Sequence, residues 1–266
     1  MSRQILNRSL LVNATVPLLP IQAIATGKVL VVAPHPDDET LGCGGAIAVL
    51  RSLGCQVHIL VISDGTQSHP RSRKYPAPAL RALREAETLE ATAILGVDRS
   101  EVAFVGLPDG AIPTIDPAFT DAVAQCHRHL AAFTPNTIFL PWRYDPHPDH
   151  RATWQLIHQA LEVVSASPRL SLTASSPLAT YQSPRLIEYP IWDWDPKQRS
   201  NLPEPDFVKV WRLDISAVVQ LKQQAIAAYR SQTTDLIDDD PEGFQLTLEM
   251  LANFTRPWEL YLEVIQ

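Results

Sequence analysis

The chain has 266 residues, 45% of them hydrophobic, which is ample for the core of one large α/β domain or two small ones. A formal net charge of -7 and a pI near 5.6 argue against non-specific binding to nucleic acid or anionic membranes. Three cysteines, Cys43, Cys55 and Cys126, form no C-x-x-C pair, which suits a reducing compartment with thiols acting as small buried hydrophobes.

At the N-terminus Arg3 and Arg8 precede an apolar stretch from Leu10 to Ile24, and Ala23-Ile24-Ala25 resembles a small-residue cleavage site. Asn13, Pro17, Pro20 and Gln22 interrupt that stretch, so a secretory signal is disfavoured, and no segment is long and apolar enough to span a bilayer. The expectation is a soluble, cytoplasmic protein without stable membrane insertion.

Val29 to Val32 reads as a buried strand, and Thr40 to Leu53 as a helix closed by Gly54. Gln56 to Ile62 reads as a second strand, ending at the turn Ser63-Asp64-Gly65. Residues 66–77 form a polar loop with the one basic cluster, Arg71-Ser72-Arg73-Lys74, expected to be solvated. Ala79 to Leu95 is amphipathic with helical spacing, and Gly96 ends it. A short strand, Val102 to Val105, leads into Leu107-Pro108-Asp109-Gly110. A helix from Pro117 to Phe133, a strand from Thr137 to Leu140 and a helix from Arg151 to Val164 follow.

This alternation predicts an α/β fold: a Rossmann-like three-layer α/β/α arrangement on a mostly parallel sheet. Residues 165–184 read as an irregular loop. Leu186 to Ile191, Phe207 to Leu213 and Leu260 to Ile265 read as strands, with helices at Ile215 to Tyr229 and Gln245 to Leu251. No repeat or low-complexity linker divides the chain. It is therefore taken as a single domain over 1–266, with a core at about 28–165 and a C-terminal sheet extension at about 166–266. Ligands of open parallel sheets bind beyond the carboxyl ends of the strands, so His35, Asp64, Asp109 and His147, each after a strand, should share one rim.

Two polar clusters stand at strand ends. Ala33-Pro34-His35-Pro36-Asp37-Asp38-Glu39 follows Val29 to Val32, and Asp145-Pro146-His147-Pro148-Asp149-His150 follows Thr137 to Pro141. Such charge at the end of a buried strand needs a partner, and a divalent metal suits imidazole and carboxylate donors. Within each cluster the spacing is i, i+3, His35 with Asp38 and His147 with His150, so three ligands could converge from two loops. Spacing alone does not decide whether His147 or His150 is the ligand.

Pro34-His35-Pro36-Asp37-Asp38-Glu39 and His147-Pro148-Asp149-His150 resemble the A-H-P-D-D-E and H-x-D-H motifs of the LmbE-like, or PIG-L, family of zinc-dependent de-N-acetylases, with Pro34 in place of Ala. Further likenesses are Asp64-Gly65, Arg84-Glu85-Ala86-Glu87, Leu107-Pro108-Asp109-Gly110 and the stretch Lys222 to Gln232, so the resemblance covers about residues 28–232. It implies a hydrolase that removes acetyl from an N-acetylglucosaminyl-type small molecule, with zinc, or alternatively ferrous iron, held by His35, Asp38 and His150. Asp37 would be the general base, and a protonated His147, oriented by Asp149, would stabilise the tetrahedral intermediate or protonate the amine.

Arg84 and Asp109 match positions that contact substrate in relatives; otherwise they are a surface helix charge and a turn residue. A Tyr that some members carry two residues before the second motif is replaced here by Asp145, beside Tyr144. Glu39 reads as structural. Trp192, Trp194, Trp211 and Tyr189 are aromatic candidates for a sugar face or for core packing, and loop 192–206 for a lid. Lys222 and Gln232 could reach the site or lie on a solvated face. Competing functions are amide cleavage of a sugar–thiol conjugate and a non-catalytic sugar- or nucleotide-binding module. Gly42-x-Gly44-Gly45 lies too far inside the helix for a dinucleotide turn. No nucleic-acid partner is expected, and a homo-oligomer is left open.

Overall fold

A computed structural model of the chain describes residues 16–20, 27–166, 183–193 and 208–264. The irregular loop expected at 165–184, Trp194 and most of the 192–206 loop lie outside the described residues. In chain order the elements are β1 (Leu18–Leu19), β2 (Lys28–Ala33), α1 (Asp38–Ser52), β3 (Gln56–Ser63), α2 (Ala77–Ile94) and β4 (Val102–Leu107). Then come α3 (Ala118–Phe133), β5 (Thr137–Pro141), α4 (Pro148–Ala166), β6 (Arg185–Tyr189) and β7 (Val208–Asp214). The chain continues through α5 (Val219–Ala227), α6 (Arg230–Thr233), α7 (Leu248–Phe254) and β8 (Trp258–Val264).

The described strands join one sheet in the order β1-β7-β8-β6-β5-β2-β3-β4. Only the pairs β8 makes, with β6 and with β7, are antiparallel. Strand residues alternate between two apolar layers, as the twofold period of a strand requires. Val29, Val31 and Ala33 pack with α1 and α5 on one face, and Leu30 and Val32 pack with α3 and α4 on the other. Such burial on both faces explains why β2 and β5 read as continuous apolar runs.

β2 lies between β3 and β5, pairing parallel with both. The chain winds outward from β2 through β3 to β4 on one side, then returns to β5 and β6 on the other. The switch point is therefore the β2–β5 seam, where a crevice opens at the carboxyl ends. Both polar clusters leave the sheet at that seam.

Two helices begin earlier than expected. α1 starts at Asp38 and α4 at Pro148, so Asp38, Asp149 and His150 occupy first helical turns instead of loops. Proline at the first helical position and carboxylates beside the unpaired N–H groups favour these starts. The expected helix from Ile215 to Tyr229 is divided into α5 and α6, and the last helix lies three residues further on.

The glycines of α1 are packing residues. A Cβ on Gly42 would stand 2.3 Å from the Tyr189 ring, and one on Gly45 2.6 Å from Ile215. Lys222, for which the sequence left open a place at the site or on a solvated face, is buried behind α1, where Nζ donates to the Leu41 carbonyl and to Glu259, each at 2.7 Å. Glu259 in turn accepts from the Gly45 and Ala46 amides. Trp211 and Tyr189 are core residues.

Candidate active site

Asp38 is the hinge between the two clusters. Its Oδ2 lies 3.1 Å from His35 Nδ1 and 3.2 Å from His150 Nε2, and it also accepts the His35 amide at 3.0 Å. The far nitrogen of each imidazole faces other carboxylates. His35 Nε2 is 3.2 Å from both Asp109 Oδ1 and Asp149 Oδ2, and His150 Nδ1 is 3.3 Å from Asp145 Oδ1. Both nitrogens of His150 are buried, yet neither is in hydrogen-bonding geometry.

The donor set fits a small divalent ion. Around tetrahedral zinc, with bonds of about 2.0–2.1 Å, donor atoms stand roughly 3.3 Å apart, close to the separations about Asp38 Oδ2. His35, His147 and His150 also bring one ring nitrogen each within 4.8 Å of one another. Carboxylates on the outward nitrogens are the usual means of holding metal-binding imidazoles in one tautomer and orientation.

Electrostatics follow from this crowding. Burial works to lower both imidazoles, but the carboxylates overcome it, raising His150 to about 9 and His35 well above its ordinary value. Burial would raise Asp38; His150 and His35 hold it well below the carboxylate range instead. Asp37 goes the other way. Burial raises it to about 8, with Asp38 and Glu39 adding repulsion and the Arg84 guanidinium opposing them.

The backbone at Asp37 is unusual, with φ of 119°. That conformation costs a non-glycine residue about 1–3 kcal/mol and persists only where neighbours impose it. The Asp37 amide donates to Glu39 Oε2 at 3.2 Å, and Thr40 and Tyr229 hydroxyls hold the other Glu39 oxygen. Glu39 thus fixes the turn and does not face the cavity. Arg84, on α2, donates to the Pro36 carbonyl and to Asp37 Oδ2. It is buried, so the surface-charge alternative is discarded.

A cavity of about 430 Å³ opens over this cluster, lined by His35, Asp37, Asp38, Arg84, Asp109 and His147 among others. His35, Asp109 and His147 do share the expected rim, while Asp64 stands behind it, accepting the Asp109 amide at 3.3 Å. His147 lines the cavity and His150, fully buried, does not.

Two expectations about the second cluster need correction. The Asp149 carboxylate does not orient His147: it meets His35 Nε2 and the amides of Gly110 and Ile112. Its place in the first turn of α4 sends the side chain toward the β4 loop, and only its backbone N–H reaches His147, at Nδ1 (3.2 Å). Burial, then the charges of His150 and His35, lower the His147 pKa to about 4, which disfavours the expected cation. With Nδ1 accepting, the neutral ring carries its proton on Nε2.

Asp145 was not anticipated as a site residue. It is fully buried, with Oδ1 accepting the His147 amide at 3.0 Å and Oδ2 the amides of Ile191 (2.9 Å) and Trp192 (3.1 Å). Its only signal in the sequence was a carboxylate two residues before His147. Trp192 lines the cavity, and Gln232 lines it too.

Residues 30–161 match the PIG-L family model, described as GlcNAc-PI de-N-acetylase. Among curated relatives, a 1D-myo-inositol 2-acetamido-2-deoxy-alpha-D-glucopyranoside deacetylase of a Mycobacterium is 32% identical over 54% of this chain. The match spans 53% of that relative, about half its length. A diacetylchitobiose deacetylase of Thermococcus kodakarensis is 27% identical over 77% of this chain and 70% of its own. The solved N,N'-diacetylchitobiose deacetylase of Pyrococcus horikoshii superposes with a TM-score of 0.60 at 27% identity, covering 88% of this chain and 82% of that one. The chain thus carries a PIG-L family region over residues 30–161, which holds both halves of the site.

Proposed function

We propose that the protein is a metal-dependent de-N-acetylase acting on an N-acetylglucosaminyl-type sugar. The observation that carries this reading is the meeting of His35 and His150 at Asp38 Oδ2, 3.1 and 3.2 Å away, beside a cavity lined by Asp37 and His147. The relatives above, deacetylases of a 2-acetamido-2-deoxy-glucopyranoside and of diacetylchitobiose, support the same chemistry.

In this reading His35, Asp38 and His150 would hold zinc, and ferrous iron would suit the same donors. The ion supplies Lewis acidity, acidifying water and polarising the acetamide carbonyl. Asp37, poised near neutral pH by burial against Arg84, takes the proton from the attacking water. As the C–N bond breaks, the same carboxyl returns that proton to the departing amine, leaving acetate and the free amino sugar. His147 donates from Nε2–H to the developing oxyanion as a neutral hydrogen-bond donor.

Asp149 and Asp145 act as positioning residues for His35 and His150. Arg84 and Asp109 border the cavity and are assigned to sugar hydroxyls, Arg84 also tuning Asp37. The test is metal analysis of the purified protein together with amine release from N-acetylglucosamine derivatives. Metal-dependent release that disappears in Asp37→Ala is expected; release that survives chelation sinks the proposal.

A further inference from the structure

The cavity has two unlike sides. One carries the carboxylates and imidazoles described above. The other is apolar, formed by Leu41, Trp192, Phe244, Leu246 and Met250. Among the described lining residues Arg84 is the only Lys or Arg, and it is engaged by Asp37 and the Pro36 carbonyl. Among the described lining residues no other Lys or Arg is left to meet a carboxylate or phosphate on the substrate.

The apolar wall is rigidly mounted. Phe244 donates its amide to the Ser68 carbonyl at 2.6 Å, and the segment before it is tied to residues 71–74, with Asp239 accepting the Arg73 and Lys74 amides.

We infer that the site selects an amino sugar whose aglycone is uncharged and apolar, an alkyl or aryl glycoside, seated against Trp192, Phe244 and Met250. This rests on the deacetylase reading for its chemistry, but the subsite is defined by its own residues. The acetamide belongs at the polar side, so the apolar group is the part of the substrate leading toward solvent.

The test compares methyl, hexyl and 2-carboxyethyl glycosides of glucosamine for binding by calorimetry, and their N-acetyl forms for amine release by the metal-loaded protein. The hexyl sugar should bind at least about tenfold tighter than the methyl sugar, the effect of burying roughly two methylenes. The carboxyethyl sugar should gain nothing. In turnover the preference should appear mainly in KM. Met250→Arg should lower the hexyl-to-carboxyethyl ratio by about tenfold or more, and Phe244→Ala should lower the hexyl-to-methyl ratio.

Equal binding of hexyl and methyl sugars, or preference for the carboxyethyl sugar, overturns the inference. So does faster turnover of an N-hexanoyl than an N-acetyl methyl glycoside, which would place the apolar group on the amide. Amine release from none of the sugars, with the hexyl preference in binding intact, sinks the deacetylase reading and upholds the subsite. A dodecyl N-acetyl glycoside in phosphatidylcholine vesicles, turned over faster than the free hexyl sugar, would identify the apolar group as a lipid anchor; the reverse order would identify a soluble glycoside.

Discussion

In the proposed reaction Asp37 carries both proton transfers. Its left-handed backbone aims the carboxyl away from Glu39 and toward Arg84, and burial raises its pKa from 3.8 to about 8. A base must be ionised to act, so activity should rise with pH along a limb set by Asp37. Arg84 favours the ionised form; removing it raises the Asp37 pKa further. Arg84→Met should therefore shift the acid limb of kcat/KM to higher pH, and an unmoved limb would separate the two residues. A raised carboxyl pKa also makes ionisation costly in the folded state. Its stabilising effect is complete below the unfolded value and is lost as pH rises through the folded one. In metal-free protein, Asp37→Asn should thus gain thermal stability over wild type between about pH 4 and pH 8, while turnover falls by about 10²–10⁴-fold.

Helix α1 is the element on which the site depends. It carries Asp38, and three glycines let it lie against the sheet and α5. Gly42→Ala would drive a methyl group into the Tyr189 ring, which is fixed in the core with its hydroxyl on the Val32 carbonyl at 2.6 Å. Overpacking of this kind costs about 1–3 kcal/mol, readable as a lower midpoint in urea. The Lys222–Glu259 pair anchors the same helix. Lys222→Met leaves the Glu259 charge buried without its cation, a change that typically costs about 3–5 kcal/mol in denaturant unfolding. The local pattern of Lys222 did not reveal this, since its partners lie on α1 and β8.

At the scale of the molecule, the site exists only because β2 and β5 are neighbours, bringing residues 35–38 beside 145–150. His35 and His150 are both raised above their ordinary values, His150 to about 9, so metal must displace protons to bind near neutral pH. Affinity for zinc should rise with pH below about 9, and calorimetry in buffers of different ionisation enthalpy should register proton release. Chelation should lower the melting temperature by a margin that grows with the metal concentration it reverses. A melting temperature indifferent to metal would mean that the two clusters do not share an ion.

What the sequence determined by itself was local: apolar runs ending in His and carboxylate clusters, helical periodicity between them, and paired motifs specific enough to indicate a family. A strand's own residues carry its burial, so β2, β3 and β5 were readable without knowing their neighbours. Partnership between side chains was not. Asp149 serves His35 rather than the adjacent His147, Arg84 is buried against Asp37 forty-seven residues away in sequence, and Asp145 holds the segment that follows β6. Only the tertiary structure decided these, because hydrogen bonds and buried charges depend on which strand ends meet across the switch point, and no spacing within one segment encodes that.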